Sequence, residues 1–332
     1  MKLNKKGRTV IGIIGIFSVI LIFSYLHMKD RREYVNIKYQ MIYIPKTQDD
    51  TNDFWTSLIE GAQMASDEYQ VDLQIWPPVS EDDYEGQMEL ILKAIEQRPD
   101  AILLSPCRYV EETETARKVK EAGIKLILID SYLDENIEDA VVSTDNVEAG
   151  TKMGEYAKEF LIDEDEPVIG VISHVKGSST AYERERGLRL GLGSLSEKIV
   201  GKEYSNSTYE EGYDVTVELL EKHPDINLIF GLNEYSSVGA ARAIREMGLS
   251  GRVEMVGFDS SKEEIQLLEE GVFSAIIIQK PFVMGYLGVE KAVQLVNGEN
   301  SYKKVDSGSI VITKENMYTE ENQKLLFPFW DK

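Results

Sequence analysis

The sequence predicts an α/β fold in which doubly wound, mainly parallel sheets carry helices on both faces. Eight short apolar runs follow one another from Tyr39 onward, at residues 39–44, 71–76, 101–105, 125–130, 168–172, 227–231, 253–258 and 274–279. Most are near-continuously apolar and rich in Ile, Val and Leu, the pattern of strands buried on both faces. Segments of helical period separate them, and strand–helix alternation builds doubly wound sheets. Eight strands suffice for one large sheet or two smaller ones.

The first run, YQMIYI, leads through the polar loop 47–53 into residues 55–68. There Leu58, Ile59, Ala62 and Ala65 share one helical face, with Glu60, Asp67 and Glu68 outside it. The loop lies at the carboxyl end of a strand, where open α/β sheets bind ligands. VDLQIW, AILLS and KLILID follow, and the last ends in Asp130. Cys107, just after AILLS, reads as a buried thiol. The acidic run 163–166 has the charge of a calcium loop without its central glycine or terminal glutamate, so it reads as a solvated turn. VIGVI precedes STAYERERGLRLGL, NLIFG precedes Asn233, VEMVGF ends at Asp259 and SAIII at Gln279. Ser261 and Glu264 have the spacing of a capping box.

Ahead of this region, residues 10–26 carry no charge, and the uncharged stretch extends from Thr9 to Met28. A run of about 20 apolar residues spans a bilayer as a helix. Lys2, Lys5, Lys6 and Arg8 precede it, which favours a cytoplasmic N-terminus and an extracytoplasmic bulk. The run ends in Ser24-Tyr25-Leu26-His27-Met28, too bulky for an ordinary cleavage site. No cysteine follows for lipid attachment. Residues 1–28 are therefore expected to be a cytoplasmic tip and uncleaved transmembrane signal-anchor, and residues 29–35 a tether.

The chain carries 36 Lys/Arg against 58 Asp/Glu, a net charge of −22. Residues 1–32 hold seven of the cations and one of the anions, which leaves −28 on the remainder. Such a surface repels phosphate backbones and disfavours nucleic acid as a partner. One cysteine permits no internal disulfide and no thiolate metal cluster. There is no G-x-S-x-G elbow, P-loop or dinucleotide fingerprint. Of His27, His174 and His223, only His174, just after a strand, is placed to face a cleft. No catalytic residue, metal or cofactor is expected.

The residues that stand out sit just after strands or at helix starts: Asn52, Phe54 and Trp55, then Asp130, Arg184, Asn233, Asp259 and Gln279. Aromatic rings pack on the C–H faces of a sugar. Planar amides, carboxylates and guanidinium groups bond adjacent hydroxyls. Each of these residues also has a structural reading: Asn52 as a helix cap, Phe54 and Trp55 as core, Asn233 as a turn residue, Asp259 as a turn brace.

In NDFWTSLIEGAQMASDE, DAILLSP, KLILIDS, STDNVEAG, ERERGLRLGL, LIFGLNEYSSVGAARAI, VEMVGFDSS and IIIQKPFVMGYLGVEKA, taken in that order, residues 39–314 resemble the type I periplasmic binding proteins of the ribose- and galactose-binding branch. Effector domains of lac-repressor-type regulators share that fold. The resemblance implies ligand contacts from Asn52, Phe54, Trp55, Asp130, Arg184, Asn233, Asp259 and Gln279. It selects Arg184 over Arg186, because the family's arginine stands three residues before a Gly-aromatic pair, here Gly187-Leu188. It further implies one lobe of residues 36–143 and 281–307 and another of 144–280 and 308–332. Three crossovers, near Ser143-Thr144, Gln279-Lys280 and Ser307-Gly308, would join the lobes around a ligand. Departures are Ser131, where ribose binders have arginine, Ser207 near an expected aromatic with Tyr209 close by, and Asp53 where proline is usual. They leave the sugar open, and a non-sugar polar ligand with it.

The implied function is a non-catalytic extracytoplasmic solute-binding protein for a sugar or related polyol. It would close around its ligand and deliver it to an ABC permease or signal to a membrane sensor kinase. A carbohydrate-active enzyme on this scaffold would need a carboxylate pair at a set separation, and no residue marks one out. A transcription regulator would need an N-terminal helix-turn-helix, where this chain has its apolar run.

Overall fold

A computed structural model describes residues 38–161, 167–299 and 303–326. The expected signal-anchor and tether and the acidic run 163–166 lie outside the described residues. Among the described residues no helix is long and apolar enough to cross a membrane. The order of elements is β1 (Tyr39–Ile44), α1 (Asp53–Tyr69), β2 (Val71–Ile75), α2 (Tyr84–Gln97), β3 (Ala101–Leu104), α3 (Thr113–Glu121), β4 (Lys125–Ile129), β5 (Ala140–Ser143) and α4 (Asn146–Leu161). After them come β6 (Ile169–Ser173), α5 (Ser179–Leu192), a 3-10 turn, β7 (Ile199–Tyr204), α6 (Tyr209–Lys222), β8 (Leu228–Gly231), α7 (Glu234–Glu246), β9 (Glu254–Phe258) and α8 (Lys262–Glu270). The last are β10 (Ala275–Ile278), α9 (Pro281–Val296), β11 (Lys304–Asp306), β12 (Ile310–Thr313) and α10 (Glu320–Leu326).

The strands form two six-stranded sheets, one in the order β11-β5-β4-β3-β1-β2 and the other β12-β10-β9-β8-β6-β7. The second repeats the topology of the first, so β4 and β9 are equivalent positions. Every pairing is parallel except β12 against β10. The chain passes from the first sheet to the second after β5, returns after β10, and passes again between β11 and β12.

All eight apolar runs form strands. The four strands not anticipated are β5 and three edge strands. The edge strands β7 and β11 are only partly buried. A strand with one neighbour and one wet flank lacks the continuous apolar run that marks a central strand.

Period-2 alternation gives each sheet two apolar faces. From β1, Tyr39, Met41 and Tyr43 pack with Leu58 of α1 and Met284 of α9. Ile42 and Ile44 face the other way, onto Ile91 of α2 and Ala116 of α3. In the second sheet, Ala275 and Ile277 pack with Met153 of α4 and Leu188 of α5, while Ile276 and Ile278 join the opposite core. Helices start on polar caps: Asn52 for α1, Asn233 for α7, and the Ser261–Glu264 capping box for α8.

Three helix pairs touch backbone to backbone through glycine: α6 with α7 at Gly212 and Gly239 and, more closely, the two that follow. A Cβ on Gly285 of α9 would lie 1.9 Å from the Leu58 carbonyl oxygen of α1, and one on Gly61 would lie 2.0 Å from that of Phe282. Between α4 and α5, a Cβ on Gly150 would lie 2.2 Å from the Arg184 carbonyl oxygen, and one on Gly187 would lie 2.2 Å from that of Val147. Only glycine admits such an approach.

Candidate functional site

The carboxyl ends of the parallel strands from both sheets converge on one cleft. Every charged side chain on its wall is at least nine-tenths buried. From the first sheet come Lys46 after β1, Asn52, Phe54 and Trp55 at the start of α1, Glu81 after β2, and Asp130 after β4. From the second come His174 after β6, Thr180 and Arg184 on α5, Asn233, Glu234 and Tyr235 after β8, Asp259 after β9, and Gln279 after β10. All eight residues singled out in the sequence line this cleft. Arg186 is exposed: helical period turns it away from Arg184, two residues earlier.

Asp130 and Asp259 occupy equivalent places in the two sheets, one residue beyond β4 and β9. Both have positive φ, 68° and 91°, a region sparsely used by non-glycine residues that costs on the order of 1–3 kcal/mol. A backbone bond to the neighbouring strand region holds each turn: Asp130 N–H to Val142 O and Asp259 N–H to Ile277 O, both 2.9 Å.

Lys46 and Asp130 form a buried ion pair with Nζ 2.9 Å from Oδ2, and both side chains are 4% exposed. Ser131 Oγ also donates to that oxygen, at 2.5 Å. Burial alone would raise the Asp130 carboxyl, but Lys46 and Arg184 outweigh it and hold the group below its ordinary value. Ser131 brings no charge to the place where ribose binders carry arginine. The cation arrives from β1 instead.

Arg184 is fixed on three sides. Its Nε donates to Asn146 Oδ1 and one Nη to the Leu232 carbonyl, both at 2.8 Å. The guanidinium lies 3.9 Å from the centroid of the Phe258 ring. His174 Nε2 shares a bond with Thr180 Oγ1 at 2.9 Å. Burial, with Arg184 and Lys46 nearby, lowers the imidazole well below its usual value, so it is neutral.

Several expected contacts are also structural. Asn52 Oδ1 accepts from Trp55 N–H at 3.0 Å, and Asn233 Oδ1 from Ser236 N–H at 2.9 Å, so each amide caps the helix it opens. Phe54 and Trp55 stand perpendicular with centroids 5.1 Å apart. Both form one wall and join the core behind it, so they do not face each other across the cleft. Asp259 Oδ2 accepts from Glu234 N–H at 3.0 Å and Oδ1 from Gln279 Nε2 at 2.6 Å.

The lobes are closed on each other by direct bonds across the cleft. Glu81, held within its own lobe by the Trp55 indole at 2.5 Å, accepts across the cleft from Ser207 Oγ at 2.6 Å. The Glu234 carboxylate accepts from the Asp53 and Phe54 amides at 3.2 and 3.1 Å. Those are open donors of the first turn of α1, where a carboxylate is favoured. Tyr209 also donates to Glu234, and Tyr235 to Asp49 Oδ2 at 2.8 Å. Burial, with Asp259 nearby, pushes the Glu234 carboxyl up to about 8.

Sequence reading missed Lys46, Glu81, Thr180, Glu234 and Tyr235. Lys46 and Glu234 had a signal: one follows a strand directly and the other adjoins Asn233. Glu81 had none, since it reaches the cleft from an aperiodic loop.

Two similar α/β lobes with a polar cleft at their strand ends define a small-solute binding protein. Residues 42–300 match the periplasmic binding protein domain family, and this chain belongs to it. The chain is similar to a sugar transporter from Clostridium phytofermentans of known structure, with 49% identity and a TM-score of 0.79 over 83% of this chain and 100% of that one. It is also similar to a carbohydrate transporter solute-binding protein from Agrobacterium radiobacter, solved with D-arabinose, at 26% identity and TM-score 0.80, over 87% and 99% of the two chains. The D-ribose/D-allose-binding protein of Pseudomonas aeruginosa is 26% identical over 263 residues, 77% of this chain and 82% of its own.

Proposed function

We propose that this chain is an extracytoplasmic, non-catalytic binding protein for a sugar or related polyol. It is tethered to the membrane by residues 1–28 and read in its closed form by a membrane partner. The observation that carries this reading is the convergence of Asp130, Arg184, Asn233, Asp259 and Gln279 from two sheets on one closed cleft beside Phe54 and Trp55. Buried donors and acceptors match hydroxyls, and a hydroxyl left unpaired on burial costs about 1–3 kcal/mol. The sugars named for the relatives support the ligand class.

In this reading the eight residues, Asn52 included, contact the ligand. The lobes are residues 36–143 with 281–307 and 144–280 with 308–332, and closure turns at the three passages between sheets. The bond between Thr144 Oγ1 and Ser307 Oγ, 3.1 Å, ties two of those passages together. The partner is an ABC permease, in line with the transporter names of relatives, and a sensor kinase is the alternative outcome.

The test is a thermal-shift and calorimetric screen against monosaccharides, polyols and nucleosides, followed by small-angle scattering with a saturating hit. Saturable binding of a sugar with a smaller radius of gyration is expected. Binding confined to nucleosides would refute the ligand class, and an unchanged radius would refute closure. Cross-linking in membranes, with identification of the captured protein, separates permease from kinase. N-terminal sequencing that starts between residues 24 and 36 would refute the anchor.

A further inference from the structure

We propose that the preferred ligand of this cleft carries a positive charge, as an amino sugar or aminopolyol, and that Glu81, Glu234 and Asp259 read it. This rests on the sugar-binding reading above and narrows it.

Charge balance motivates the inference. Four acidic side chains line the cleft, and of these Glu234, pushed up to about 8, is largely protonated at neutral pH; Glu81, Asp130 and Asp259 remain against two cations, Lys46 and Arg184. A fifth acid, Glu264, adds no charge to this balance: burial, with Glu234 and Asp259 beside it, pushes its carboxyl well up, so it keeps its proton. Lys46 is committed to Asp130. Arg184 stabilises the Asp259 charge at longer range, but its hydrogen bonds go to Asn146 and Leu232. Among the described residues no lysine or arginine nitrogen lies within 4.0 Å of Glu81, Glu234 or Asp259. Buried anions without a cation partner are costly, and a cation that enters the cleft relieves that cost.

The hydrogen-bonding capacity left on the wall points the same way. Gln279 is 5% exposed. Its NH2 is fixed on Asp259, since a carboxylate only accepts, and its Oε1 is buried without a partner. That oxygen needs a donor, and an ammonium supplies three. Near Ser207, where an aromatic face is expected, stands the Glu81 carboxylate. The cleft beside Trp55 therefore presents acceptors. An anionic sugar would add repulsion to a site that already holds excess negative charge.

The test is isothermal calorimetry of the full chain, kept in detergent, against matched probes. D-Glucosamine, D-galactosamine and D-mannosamine are each compared with the parent hexose and the N-acetyl derivative, which keeps the nitrogen and loses the charge. D-Glucuronate and D-galacturonate complete the panel. At least one amine should bind ten-fold or more tightly than both its neutral counterparts, with no measurable binding of either uronate. Glu81→Gln should shrink that ratio at least three-fold. A neutral hexose that binds as tightly as its amine, an uronate that binds, or an unchanged ratio in Glu81→Gln overturns the charge reading and leaves sugar binding standing. No binding by any amine, when no neutral sugar binds either, overturns both.

Discussion

Replacing Lys46 by methionine isolates the electrostatics of the cleft from its shape. Methionine keeps most of the side-chain volume and removes the ammonium that lies 2.9 Å from Asp130. At that distance two unit charges attract by about 6 kcal/mol at an effective dielectric of about 20. Desolvation of both groups cancels much of this, and loss of one partner from a buried pair costs about 3–5 kcal/mol. Arg184 still acts on Asp130 from a distance, so the lower end, about 3 kcal/mol, is expected. The assay is urea unfolding at about pH 7.5, with the shift in midpoint read at constant slope.

The pH dependence has a definite sign. In the wild type the Asp130 carboxyl is held low, so its stabilisation is present above the unfolded value of about 3.9 and is lost only as pH falls through the still lower folded value. Without Lys46, burial dominates and the folded value rises, so the penalty should shrink as pH falls from about 7.5 to about 5. Lys46→Met with Asp130→Asn should recover part of the loss, because no buried charge is then left alone. A single-variant cost below about 1 kcal/mol that is also independent of pH would refute the assigned pair.

Three further outcomes are expected. Glu112 is fully buried, and burial pushes its pKa up to about 8 although the backbone amides of Arg108 and Cys107 oppose the rise. The folded form keeps a proton that the unfolded form releases, so stability should fall as pH rises between about 4.3 and 8. In Glu112→Gln that fall should flatten by up to about 1.4 kcal/mol per pH unit, as read from unfolding at several pH values. Arg184→Lys cannot keep the bonds to Asn146 and Leu232 together, and should cost about 1–3 kcal/mol in urea unfolding and abolish binding of any sugar the wild type takes. Gly150→Ala drives a Cβ into the Arg184 carbonyl and should lower stability by about 1–3 kcal/mol. The same shift should weaken ligand binding, which calorimetry would detect.

The central strands were legible because burial on both faces leaves continuous apolar runs, as in β3 and β4. The edge strands β7 and β11 were not, because they satisfy their positions with Gly, Lys, Glu and Asp. In the cleft, Asp130 and Asp259 were visible as charges that end apolar runs. Glu81 was invisible, because an aspartate- and glutamate-rich loop gives one acid no more signal than another. The dual use of Asn52 and Asn233 was also hidden, since a residue that caps a helix and faces a cleft has the sequence signature of a cap alone. Whether one sheet or two would form was open in the period of the strands. It is decided by connectivity, which periodicity does not encode.

The glycine contacts between helices bear on how a bound solute is felt elsewhere. The helices α4 and α9 each begin where the chain has just changed sheets. Each is seated, peptide against peptide, on a helix that supplies the cleft: α5 with Arg184, and α1 with Phe54 and Trp55. A linkage cushioned by long side chains would absorb small rotations as rotamer changes. A contact of peptide on peptide has no such cushion. Because carbonyls and glycine Cα atoms do the coupling, the cleft's side chains can be exchanged for those of another specificity without detuning the drive. Recognition and coupling thus share the same helices and use different atoms, side chains for the first and backbone for the second.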